Sequence, residues 1–99
     1  MGSREYVEVD PAVLHLPGSR RNGADPSKLA RQFSRYGDST VGMPPLEVSR
    51  GIDGGFVIND GVTRATRIAR YAPGELVTVE VIDLLSVPVL CLPTVGETL

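Results

Sequence analysis

The chain has 99 residues, 22% of them charged and 41% hydrophobic, with a formal net charge of −2. That length predicts one small domain spanning 1–99, which the element order taken below makes α+β, with a core over 6–83 and an apolar tail over 84–99. The charge excludes a global basic field for recruiting nucleic acid. One cysteine, Cys91, excludes an intrachain disulfide and a metal-binding cysteine pair, and it suits the reducing cytoplasm, the expected location.

Met1-Gly2-Ser3 reads as a cloning remnant, and no apolar run follows a basic start, so no signal peptide is expected. "YVEV" (6–9) alternates and predicts a strand that ends at Asp10-Pro11. Residues 15–24 hold Pro, Gly, Asn and two Arg, which is loop chemistry, and they place His15 in a loop with a surface or packing role. Asp25-Pro26 reads as an N-cap followed by Pro in the first turn. The helix runs to Tyr36, with Leu29, Phe33 and Tyr36 at i, i+4, i+7, and Gly37 stops it.

"STVGMPP" (39–45) is a loop. "LEVSR" (46–50) and "FVIND" (56–60) form a hairpin around Ile52-Asp53-Gly54-Gly55, so Asp53 reads as turn chemistry. A second helix runs from Gly61 to Tyr71, with Val62, Ala65, Ile68 and Ala69 facing inward, and Ala72-Pro73-Gly74 ends it. "LVTVEVID" (76–83) is the clearest strand. The tail "LLSVPVLCLP" is too short and too rich in proline for a membrane span. It is expected to be buried, as a further strand, as core cover, or at a homo-oligomer or partner contact. The order β-α-β-β-α-β predicts a mixed sheet with two main helices packed on it.

The sequence lacks a P-loop, a dinucleotide-binding fingerprint and a nucleophile elbow, and one histidine is too few for most metal or triad schemes. No metal-ligating set is read from it. The positive signal lies at two helix starts, where free N–H groups attract anions. At the second, Gly61 lets a ligand approach the backbone, Thr63 offers a hydroxyl and Arg64 a fork of donors. At the first, Lys28, Arg31 and Arg35 share one face. Arg20 and Arg21, in the preceding loop, are accessory candidates. The basic residues are nine Arg and one Lys, a bias that suits bidentate phosphate recognition but also follows high genomic GC content. A plainer reading stays open: Asp25 pairs with Lys28 and Asp60 with Arg64 as ordinary helix pairs, Asp60 acting otherwise as a cap.

"ADPSKLARQFSRYGDSTVGMPPLEV…GGFVINDGVTRATRIA" resembles the ParB/sulfiredoxin superfamily over about residues 6–83. The resemblance carries the "DPSKL" helix start, the "PPLEV" strand entry and Gly61-Val62-Thr63-Arg64 in the family's order. It implies a nucleotide-phosphate pocket in which Lys28 and Arg64 contact phosphate, with ATP or CTP and Mg²⁺ as the implied ligand. Val62 and Thr63 stand where sulfiredoxins carry a catalytic Cys-His pair, so sulfiredoxin activity is not expected. The 99 residues hold no helix-turn-helix segment like that of ParB partition proteins, so autonomous centromere binding is not expected either. The expected function is nucleotide or phosphate binding. Phosphoryl transfer or hydrolysis fits such a cleft, because that chemistry needs positioning and charge neutralisation more than a protein nucleophile. The alternatives are a nuclease or toxin-like module acting on nucleic acid, with Asp60 as its carboxylate, and a non-enzymatic interaction protein docking through the tail.

Overall fold

The computed structural model describes residues 4–99; Met1-Gly2-Ser3, the supposed cloning remnant, lie outside the described residues. Strand β1 (Glu5–Val9) leads through a 3₁₀ turn to helix α1 (Pro26–Tyr36). Strands β2 (Leu46–Arg50) and β3 (Phe56–Asp60), helix α2 (Val62–Tyr71) and strand β4 (Val77–Leu84) follow. The protein is α+β, with a four-stranded mixed sheet in the order β1-β4-β2-β3. β1 and β4 pair antiparallel, β4 and β2 parallel, β2 and β3 antiparallel. The parallel pair requires the chain to cross over, and α2 supplies that crossover.

Alternation along the strands delivers the core. Leu46 and Val48 of β2, Ile58 of β3, and Val77 and Val79 of β4 are buried against Ala65, Ile68 and Ala69 of α2. Helix α1 packs mainly on α2 rather than on the sheet. For that reason only Leu29 of its expected apolar stripe is buried. Phe33 instead stacks on Tyr71 of α2 with ring centroids 4.0 Å apart, and Tyr36 lies beside the guanidinium of Arg67.

Two stretches depart from the sequence reading. Residues 15 and 16, read as the start of the 15–24 loop, lie against the sheet, His15 in isolated bridges to Val57 and Thr94. Leu14 and Leu16 are fully buried, and His15 extends the sheet past β3, its N–H donating to Phe56 O (2.8 Å) and its carbonyl accepting from Ile58 N (3.0 Å). The tail then pairs on the far side of this segment, with Leu16 N donating to Pro93 O (2.8 Å) and Val95 N to Leu14 O (2.9 Å). His15 therefore packs: Nδ1 lies 2.8 Å from Leu92 O. The tail is also less buried than expected. Val89 and Val95 are inside, whereas Leu84, Val87 and Leu90 are more than half exposed. The backbone explains the difference, because Pro88 and Pro93 interrupt the alternation that a full strand needs. Among the described residues no helix is long and apolar enough to cross a membrane.

The tail is fastened by the β2–β3 turn. Asp53 does serve the turn, accepting from Gly55 N at 3.3 Å. Its other oxygen accepts from Val89 N and Leu90 N at 3.0 and 2.9 Å. These bonds, led by that from Leu90, hold the carboxyl below its ordinary range. Gly51 and Gly55 make the contact sterically feasible, since a Cβ at either would sit 2.8 Å from Val89 Cγ2.

Candidate functional site

The start of α1 forms as its residues dictate. Asp25 is the N-cap, accepting from Ser27 N at 2.8 Å and Lys28 N at 3.4 Å, and these bonds lower its pKa. Asp25 thus caps the backbone and makes no ion pair with Lys28. Gly37 ends the helix at φ +58°, its N–H bonded to Phe33 O.

The start of α2 is different. Gly61 is the N-cap at φ +112°, and no side chain caps the helix. Asp60, expected as a cap, instead binds Arg64 Nη2 at 3.3 Å. The first-turn N–H groups of α2 are left without a side-chain acceptor, which is the condition for an anion site. Glycine is required at 61 twice over. Its φ lies in the left-handed region, and a Cβ there would be 2.5 Å from Leu46 Cδ2 and 3.0 Å from Arg64 Nη2.

These elements enclose a cleft of about 420 Å³. Segment 17–20 contributes Arg20, α1 contributes Lys28 and Gln32, and the β3–α2 junction contributes Asp60, Gly61, Thr63 and Arg64. The formal charges on Arg20, Lys28 and Arg64 outweigh the one on Asp60. Arg31 and Arg35 stand outside it, lining an adjoining depression with Lys28, Gln32, Tyr36 and Thr63. Arg21 is exposed and does not line the cleft. Among the described residues none of Arg20, Arg21, Lys28, Arg31 and Arg35 forms an ion pair; those that do are Arg4, Arg50 and Arg64.

Arg64 is the most constrained of the expected residues. Besides Asp60 it donates from Nη1 to Pro44 O at 3.0 Å, so it ties the 39–45 loop to α2 while its side chain forms a cleft wall. The ordinary helix pair with Asp60 thus exists alongside the site geometry. No groups of three or more His, Cys, Asp or Glu that could hold a metal occur among the described residues. Cys91 is exposed and lies in the tail.

Two neighbours escaped sequence reasoning. Arg67 is 2% exposed, although nothing in its pattern sets it apart from the solvent-facing arginines. Its Nη1 donates to Gly37 O (2.9 Å) and Ser39 O (2.8 Å). It therefore closes the C-terminal end of α1, where free carbonyls and the helix dipole favour a cation. Burial pushes its pKa down, with Arg64 adding to the effect and Asp38 and Tyr36 opposing it. Gln32 lines both the cleft and the depression beside it, yet its Oε1 is buried without a hydrogen-bond partner. No protein-family model matches the chain, and a search of curated proteins gives no significant match.

Proposed function

We propose that the protein binds a phosphate-bearing ligand, a nucleotide, in the cleft between α1 and the β3–α2 junction. The observation that carries this reading is convergence. Arg20, Lys28, Thr63, Arg64 and the uncapped start of α2 come from three separate chain segments and line one cleft of about 420 Å³. A solvated helix face has no reason to gather donors from three segments around a concavity. The size suits a small-molecule ligand. The resemblance of Gly61-Val62-Thr63-Arg64 and "DPSKL" to the ParB/sulfiredoxin superfamily supports the same reading. In it, backbone N–H groups of α2 and the Thr63 hydroxyl meet phosphate oxygens, and Lys28 and Arg20 neutralise their charge. Mg²⁺ would enter bound to the phosphates rather than in a protein cage.

A thermal-shift screen against ATP, CTP, GTP, UTP and ADP, with and without Mg²⁺, tests the reading. Binding to the folded state alone raises stability by about 2.7 kcal/mol at a hundredfold excess over Kd. A flat response to every nucleotide at millimolar concentration removes it.

A further inference from the structure

We infer that the depression beside the phosphate cleft is a second anion subsite, in which Arg31 and Arg35 hold a phosphate group separate from the one at the start of α2. The inference rests on the phosphate reading above. The depression, of about 320 Å³, runs along α1 from Lys28 to Tyr36. It shares Lys28, Gln32 and Thr63 with the cleft, so one ligand can reach both.

The charged side chains of α1 are Lys28, Arg31 and Arg35, and all are cations. Residues three and four positions apart are neighbours on a helix surface, and like charges there destabilise it. Lys28 with Arg31, and Arg31 with Arg35, are such pairs. Lys28 also stands in the first turn, where the helix dipole opposes a cation. A solvated helix face ordinarily relieves this crowding by mixing the two signs. Here no carboxylate lines the depression, and none of the three cations forms an ion pair among the described residues. Asp25, the N-cap, binds the N–H groups of Ser27 and Lys28 instead, and the charges of Lys28 and Arg31 are the weakest influences on its carboxyl. An anionic ligand removes the repulsion that the chain itself leaves unrelieved.

The spacing calls for two separated groups rather than one chain. Arg20, Arg64 and the uncapped start of α2 serve the cleft. Arg31 and Arg35 are exposed and stand outside it. Seven residues at a rise of about 1.5 Å place Arg35 about 10 Å beyond Lys28 along α1. A contiguous phosphate chain keeps its charge in the cleft, whereas a second phosphate reaches the depression across a spacer, and a ribose is such a spacer. Two guanidinium forks on one helix face suit the oxygens of a terminal phosphate. The ligand class is therefore a nucleotide with phosphate groups at two positions of its sugar.

Isothermal titration of the full chain with adenosine 3′,5′-bisphosphate, ADP and inorganic tripolyphosphate, at one ionic strength, provides the test. The two nucleotides share base, sugar and number of phosphates and differ only in where the phosphates sit. The bisphosphate is expected to bind about tenfold or more tightly than ADP, because its second phosphate gains charge-assisted bonds. In the double variant Arg31→Gln/Arg35→Gln that advantage disappears, while ADP and tripolyphosphate, held in the cleft, lose less affinity than the bisphosphate does. If ADP binds as tightly as the bisphosphate, or if only tripolyphosphate binds, the subsite is wrong and the phosphate cleft stands. If the double variant keeps the full advantage, Arg31 and Arg35 do not hold the second phosphate. If none of the three binds, the phosphate reading fails and the subsite falls with it.

Discussion

Lys28 and Arg64 both line the cleft, but they carry different structural burdens. Lys28 is exposed and has no ion-pair partner among the described residues. Lys28→Ala is therefore expected to leave stability unchanged in urea denaturation and to weaken nucleotide binding roughly tenfold or more, since hydrogen bonds to charged groups are worth about 1.5–3 kcal/mol. Arg64 also holds Pro44 O and Asp60, so Arg64→Ala should lower affinity and stability together, and Arg64→Lys should rescue neither completely because the fork is lost. Arg67→Ala should be the most damaging of these. It frees the Gly37 and Ser39 carbonyls and empties a fully buried volume; a loss of about 3 kcal/mol or more in the same denaturation is expected. Lys28 and Arg64 were legible because a cation in a first turn is locally anomalous. Arg67 and Gln32 were not, because their roles depend on where the end of α1 and the 39–45 loop meet α2, a tertiary fact with no local trace.

The β3–α2 junction and the β2–β3 turn are the two elements where geometry tolerates least change. Gly61→Ala would place a methyl 2.5 Å from Leu46 Cδ2 at φ +112°, costing about 1–2 kcal/mol for the left-handed backbone, with overpacking in addition. Thermal melts of the variant measure that loss. Asp53 makes the tail pH-sensitive. Its folded pKa is depressed, first by the bond from Leu90 N. Its contribution is therefore complete above the ordinary carboxylate range and disappears as pH falls through the lowered folded value. Amide exchange at Val89 and Leu90 should accelerate in acid relative to the core strands, and Asp53→Ala should show the fast exchange already at neutral pH. Exchange that stays equally slow in that variant would contradict the latch. Helices and hairpin strands were legible within a residue or so, because Asp25-Pro26, Gly37, the turn residues 52–55 between "LEVSR" and "FVIND" and the alternation in 76–83 are local signals. Residues 14–16 and 93–95 were not, since their pairing joins short segments nearly eighty positions apart (His15 reaches Leu92), and such pairing leaves only a few residues of pattern.

Across the whole molecule the strand register separates two chemistries. Asp60 opposite Glu47 marks the end of the sheet that carries the cleft, whereas Arg50 opposite Phe56 and Leu84 marks the end where the tail crosses the hairpin turn. Exposed Ile52, Leu84, Val87 and Leu90 belong to that second end. Because the cleft's cations are partly screened by salt, nucleotide affinity should fall as ionic strength rises. Amide chemical-shift mapping decides whether phosphate binds where α1 faces the start of α2. On titration with ATP and Mg²⁺, and separately with tripolyphosphate, the largest shifts are expected at Val62, Thr63 and Arg64, with Arg20, Lys28 and Gln32 following. No shift at millimolar ligand, or shifts confined to Ile52 and residues 84–90, would mean that phosphate does not bind in this cleft.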